Sequence, residues 1–197
     1  MADEPKKLEE DLVRAVEILA GTFDARSIQY AIIGGVATTM RGRLRFTQDV
    51  DVPLDVPQVL LPPLLDELAR QGFEFEAQTV VREFVREHMT VLRFKTVRID
   101  WLKPVLPLYS RALSDASCIE WTQSHSVRVA TPEGLILTKL VAFRPRDQAD
   151  IETLLSANRD EIDLDLIRRE WAALSAGEEA RTAWLENAIV RLVIGSK

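Results

Sequence analysis

A glycine pair set between a short apolar run and an Asp-Val-Asp triplet constrains this chain more than any other feature. Tyr30 to Ile33 is apolar, Gly34-Gly35 follows directly, and after thirteen intervening residues comes Asp49-Val50-Asp51. Successive side chains on a strand alternate between faces, so Asp49 and Asp51 emerge together as a pair of oxygen donors spaced to clamp a metal. The glycines stand where the apolar strand turns into a helix, the position at which backbone N–H groups and a helix N-terminus receive phosphate. Between the two motifs lie Arg41, Arg43 and Arg45, a local excess of positive charge in a chain of formal net charge −6. A phosphate cradle beside a metal clamp points to nucleotide chemistry.

The surrounding pattern supplies a scaffold. Leu8, Leu12, Val16, Leu19 and Phe23 recur at helical spacing and predict an amphipathic helix over 7–24, leading into the Tyr30 strand. A short helix is expected over 36–41 and the Asp-Val-Asp strand over 48–52, closed by Pro53 and Pro57. Leucines at helical spacing over 58–70 stop at Gly72, a helix with a glycine stop. Met89 to Phe94 and Val97 to Leu102 read as two strands joined by a tight Lys95-Thr96 turn. In the second of these Val97 and Ile99 face one side and Arg98 and Asp100 the other, so a third carboxylate arrives on a polar strand face. A helix over 105–115 and two short strands, 117–121 and 126–130, complete this part. Thr131-Pro132-Glu133 is a strong helix start, with a hydroxyl N-cap, proline at the first position and an acid in the first turn. Pro145 interrupts that helix, and three further helical patterns follow, carried by Ile151 and Leu154, by Ile167 and Trp171, and by Leu185 and Ile189. The expected fold is α+β: a mixed sheet flanked by helices over 1–130, then a helical region over 131–197 that packs on it or continues the same domain.

Composition narrows the partners. The net negative charge argues against a general nucleic-acid coat, although a local basic cleft is compatible with it. Cys118 is the sole cysteine and has no internal disulfide partner, the N-terminal stretch lacks an apolar signal core, and no hydrophobic run reaches membrane-spanning length. A cytoplasmic protein without a membrane partner is expected. His88 and His125 are isolated, so zinc is not expected, and neither a P-loop nor a nucleophile elbow occurs. Trp101, Trp121, Trp171 and Trp184 are assigned to the core or an interface.

Transfer of a nucleotidyl group from an NTP needs a divalent metal on oxygen ligands, a grip on the triphosphate and a base near the attacking hydroxyl. Asp49 and Asp51 are the expected ligands for Mg2+, or Mn2+ in its place, with Asp100 sharing a metal and drawing off the acceptor's proton. Gly34 and Gly35 let backbone amides approach the phosphates, and Thr38 or Thr39 adds a hydroxyl. Arg45 and Thr47, just before the aspartates, can reach the same anion.

These residues resemble the signature of the DNA polymerase beta-like nucleotidyltransferases: a Gly-Gly or Gly-Ser loop, an acid-x-acid strand and a third acid on a later strand, matched by Gly34, Gly35, Asp49, Asp51 and Asp100. Within that superfamily, the segment IIGGVATTMRGRLRFTQDVDV resembles bacterial nucleotidyltransferase-like toxins of abortive-infection and toxin-antitoxin systems, through its Arg-x-Thr-x-Asp element. TPEGLILTKLVAFRPRDQADI is similar to the later motifs of that group, a helix with a lysine and then Arg-x-x-x-Asp. The resemblance implies that Lys139 contacts the nucleotide phosphates and that Arg146 and Asp150 shape the pocket, with Asp147 the alternative acid. It also implies an acceptor that is a tRNA end or a protein, and a cognate antitoxin as partner. Two other readings stand beside this one. Antibiotic nucleotidyltransferases share the opening motif and modify a small hydroxylated molecule, and a catalytically idle member would bind nucleotide or a partner protein without transferring anything.

Overall fold

The computed structural model describes residues 4–43 and 47–195. The first helix, α1 (Glu4–Ala25), turns Ala15, Val16, Leu19, Ala20 and Phe23 inward, all buried as their spacing requires. Strand β1 (Gln29–Tyr30) is brief, and its continuation joins by single bridges, Ile32 to Val129 and Ile33 to Asp51. Helix α2 (Gly34–Arg41) begins at the glycine pair itself, and strand β2 (Asp49–Asp55) follows.

A 3-10 turn (Gln58–Leu60) leads into α3 (Leu61–Arg70), then β3 (Phe73–Glu74) and α4 (Ala77–Arg86). Strands β4 (Met89–Phe94) and β5 (Val97–Leu102) form the expected hairpin, followed by α5 (Pro107–Ser114), β6 (Ser117–Thr122) and β7 (His125–Val129). The remainder is helical: α6 (Pro132–Ala142), α7 (Pro145–Ala157), α8 (Leu164–Leu174), α9 (Glu179–Ile189) and a terminal π-helical turn (Val190–Ile194). None of the helices, over the described residues, is long and apolar enough to cross a membrane.

The chain divides into two compact units, Met1–Val36 with Phe46–Ala130, and Ala37–Arg45 with Thr131–Lys197. The first is built on a five-stranded mixed sheet of order β1-β2-β5-β4-β3, in which only β2 and β5 run parallel, with a separate β6-β7 hairpin. One sheet face is apolar and closed: Val50, Val52 and Leu54 of β2, Ile99 and Trp101 of β5 and Leu92 and Phe94 of β4 are all buried. Trp101 is fully buried between Phe23 of α1 and Phe84 of α4, with ring centroids 5.9 Å and 6.2 Å away. The opposite face of β2 and β5 carries the half-buried and exposed residues that alternate with these, together with the buried Pro53.

Two features differ from expectation. Pro53 does not close β2 but lies within it, opposite Leu102 of β5; its carbonyl still accepts from the Ala31 amide at 3.1 Å, so only a donor is missing from the ladder. Helix α4 and strand β3 had no counterpart in the sequence reading. Glu76 caps α4 by accepting from the amides of Gln78 and Thr79, and Val80 and Phe84, four apart, form its buried stripe.

In the second unit Thr131 caps α6 through the Gly134 amide, and Phe143 ends it in the left-handed conformation, φ 49°. Pro145 is therefore the first residue of a new helix rather than a kink in an old one. Trp171 of α8 donates to Thr182 of α9 at 2.9 Å, and Trp184 meets Phe143 edge-on at 5.3 Å. The short segment 37–43 belongs here through its packing: the Arg41 carbonyl accepts from Asn158 at 2.8 Å, and Gly42 lies against Thr153.

Candidate active site

The parallel pairing of β2 with β5 sets four charged residues on one sheet face. Asp49 is the Cα partner of Arg98, and Asp51 is the partner of Asp100. Partners on neighbouring strands project to the same side, and i, i+2 positions share a face, so three carboxylates and one guanidinium occupy adjacent corners of a rectangle. Their alternation with the buried Val50, Val52, Ile99 and Trp101 makes this the open face. A one-residue slip of register would have sent Asp100 into the apolar core.

Gly34 closes one side of the cluster. Its φ of 64° lies in the left-handed region, and a Cβ built there would stand 1.8 Å from Asp51 Oδ2 and 2.7 Å from Asp51 Cγ. Only a residue without a side chain lets the backbone come so near that carboxylate. Ile33 N–H donates to the Asp51 carbonyl at 3.0 Å, which ties the strand before the glycines to the strand that bears the acids. Gly35, buried, is in the first turn of α2, and Thr38, also buried, is one turn further on. Thr47 donates weakly to the Asp49 carbonyl at 3.4 Å.

Arg98 is the principal partner of the third acid. Its Nε donates to Asp100 Oδ1 at 2.8 Å, with Arg98 43% and Asp100 18% exposed in their side chains. That hydrogen bond and the charge of Asp100, followed by the charges of Asp49 and Asp51, hold the guanidinium above the usual arginine range. Tyr109 of α5 belongs to the same neighbourhood: burial first, and the charge of Asp51 second, push its hydroxyl up. Neither Arg98 as a partner of the acids nor Tyr109 was singled out in the sequence. The alternation that placed Arg98 beside Asp100 was the available signal for the first; for Tyr109 there was none, because its approach to Asp51 is made by the packing of α5 against β2.

Oxygen donors of this kind on one face suit a hard divalent cation. Among the described residues, however, no three His, Cys, Asp or Glu side chains are converged as a metal cage. One oxygen of Asp100 is engaged instead by the Arg98 guanidinium.

The remaining predicted residues lie in the second unit or outside the description. Lys139, expected at a phosphate, is 6% exposed; its Nζ donates to Asp150 Oδ2 at 2.6 Å and stands 4.0 Å from Asp147 Oδ1. Asp147 also accepts from the Arg144 backbone at 3.0 Å and from its Nε at 2.7 Å. Burial pushes the Asp147 carboxyl up, but the hydrogen bonds and charge of Arg144 with the charge of Lys139 outweigh it and leave the group below the usual carboxylate range. Both acids thus face the lysine, while Arg146 is exposed on α7 and stands outside this cluster. Arg41 is half-buried, Arg43 is exposed, and Arg45 lies outside the described residues.

The sequence matches no protein-family model and no curated protein. The fold does match solved structures. An antigenic nucleotidyltransferase-like protein from Paracoccidioides brasiliensis aligns with a TM-score of 0.59 at 20% identity, over 90% of this chain and 93% of that one. The antibiotic-resistance factor ANT(2'')-Ia aligns at 0.54 and 19% identity, over 91% and 96%. JHP933 from Helicobacter pylori aligns at 0.53 and 16%, over 98% and 84%. The architecture is that of the nucleotidyltransferase fold, a mixed sheet flanked by helices.

Proposed function

We propose that this chain is a metal-dependent nucleotidyltransferase that moves NMP from an NTP to a hydroxyl of an acceptor. The observation that carries the reading is the register of β2 on β5, which sets Asp51 beside Asp100 with Asp49 on the same face and the Gly34 backbone against Asp51. Asp49, Asp51 and Asp100 would hold Mg2+, or Mn2+ in its place. Such an ion, when bound, supplies Lewis-acid polarisation of the phosphate and charge neutralisation.

The chain's own residues do the rest. Asp100 accepts the proton of the acceptor hydroxyl, whose oxygen forms a bond to the α-phosphorus as the bond from that phosphorus to the bridging oxygen breaks and pyrophosphate leaves. The glycine pair at the start of α2 admits the phosphates to backbone amides, with Thr38, Thr39 and Thr47 as hydroxyl donors and Arg45 as a planar two-donor contact. Lys139, Asp150, Asp147 and Arg146 keep the roles that the sequence resemblance implies, with one change. Because Lys139 is bonded to Asp150, a phosphate contact by its ammonium requires an exchange of partners, and without that exchange it acts by holding α7 in place.

For the acceptor, an RNA end or a protein follows from the toxin-like sequence motif, with a cognate antitoxin as the partner that would silence the activity. The second reading, a small hydroxylated antibiotic as acceptor, is supported by the likeness to ANT(2'')-Ia and by the acidity of the open face, which suits a cationic drug. Incubation with each labelled NTP, Mg2+ and a cell extract separates these, because the label enters RNA, protein or a small molecule. Asp51→Ala is expected to abolish transfer while far-UV circular dichroism stays that of the parent. Transfer by this variant at the parent rate would refute the metal assignment.

A further inference from the structure

Helix α4 carries more apolar surface than the core uses. Val80 and Phe84 are buried, Phe84 against Trp101, but Val81 and Val85, each one position further on, are only half-buried. Successive helical positions are rotated by about 100°, so these two valines form a second apolar stripe turned aside from the core. With Pro62 and Leu65 of α3 and Ala77 of α4 they line a groove of about 460 Å³. Gln58 of the 3-10 turn before α3 borders it, and the same turn exposes Val59 to 80% and Leu60 to 39%. Because Phe84 packs on the apolar sheet face, this groove stands on the side of the sheet away from Asp49, Asp51 and Asp100.

The two walls of the groove bear opposite charge. Asp66 is on the α3 wall and Arg82 and Arg86, one turn apart, are on the α4 wall, all three exposed. Among the described residues none of them makes a salt bridge; Arg82 donates to the Thr79 hydroxyl at 3.1 Å and acts on Glu76 through its charge. A ligand of one sign would suit one wall and be repelled by the other. A surface that carries the same charges in reversed order suits both, and a two-fold axis supplies that surface from the same protein.

We infer that α3, α4 and the turn at 58–60 form the isologous interface of a homodimer, in which a second copy lays its Val59 on the apolar lining and sets its Asp66 against Arg82 and Arg86. The contact is reciprocal, so each copy supplies both the projecting valine and the groove. Its area sets its strength. Two helices of 10 residues, each about 15 Å long, offer a few hundred Å² per copy, less than the roughly 800 Å² per partner of a standard stable interface. The dimer is therefore weak, forming in the micromolar range. It does not depend on the chemistry of the open sheet face.

Sedimentation equilibrium of the full chain across the micromolar range reads the mass directly. The parent is expected to pass from one chain towards two as its concentration rises. Val59→Asp and Arg86→Glu are each expected to weaken the association roughly tenfold, the first by pressing a charge onto apolar surface and the second by facing two carboxylates. Asp66→Arg combined with Arg86→Glu restores opposite charges across the axis and is expected to recover part of that loss, a recovery that misfolding of Arg86→Glu would not allow. A parent that remains one chain at every concentration overturns the inference, and the groove then belongs to another partner. A dimer that Val59→Asp and Arg86→Glu leave at parent strength also overturns it, as does a double variant no tighter than Arg86→Glu.

Discussion

At the scale of single residues, the site depends on one missing side chain. Gly34 is in the left-handed region with its Cα against the Asp51 carboxylate, so an added methyl group meets both a conformational penalty and an oxygen 1.8 Å away. Gly34→Ala is expected to cost about 1–3 kcal/mol of stability, because the backbone conformation is strained and Asp51 must be displaced. Guanidinium denaturation reads the loss, and a variant as stable as the parent would show that the loop relaxes freely. Gly35, in contrast, is helical and has no positive φ. The two glycines of the motif are thus not equivalent, and the sequence motif treats them as a pair only because they are adjacent.

At the scale of elements, α6 and α7 are joined by buried charge. Lys139 is paired with Asp150 at 2.6 Å and lies 4.0 Å from Asp147, which Arg144 also holds. Lys139→Met is expected to cost about 3 kcal/mol or more, because it leaves Asp150 buried without its cation. Adding Asp150→Leu is expected to recover part of that loss, a comparison made by denaturant midpoints of the single and double variants. Asp147 gives this element pair a pH dependence. Its folded carboxyl is held below the ordinary range, so the folded protein takes up that proton less readily than the unfolded chain. The stability it contributes is whole above the ordinary carboxylate pKa of about 4 and is lost as pH falls through the depressed value. Asp147→Asn is therefore expected to lower the thermal midpoint at pH 7, with the gap to the parent narrowing below about pH 4.

At the scale of the whole molecule, the division into units does not follow the chain. Residues 37–43 pack with the C-terminal helices through the bond from Asn158 to the Arg41 carbonyl and the seat of Gly42 on Thr153, although they lie between the glycines and the aspartates. A fragment ending at Ala130 keeps the sheet but leaves the end of α2 without these partners. Such a fragment is expected to unfold at lower denaturant than the full chain. An unchanged midpoint would show that the end of α2 needs nothing from 131–197.

The local motifs were legible because their physics is local. The alternation of Asp49, Val50 and Asp51, the tight turn at Lys95-Thr96 and the Thr131-Pro132 helix start each depend on neighbours within a few residues, and the structure shows each where the sequence put it. The passage of β2 through Pro53 was not legible, because a neighbouring strand must arrive before it is clear that the missing N–H can be tolerated. Helix α4, absent from the expected elements, carries a local signal of its own, since Val80, Val81, Phe84 and Val85 recur at helical spacing. The sequence by itself determined that Asp49 and Asp51 share a face and that Asp100 shares one with Arg98. Only the tertiary structure decided that these are the same face, because the register of β2 on β5 buries Val50, Val52, Ile99 and Trp101 together on the other side, with Trp101 between Phe23 of α1 and Phe84 of α4, a packing that no single segment contains.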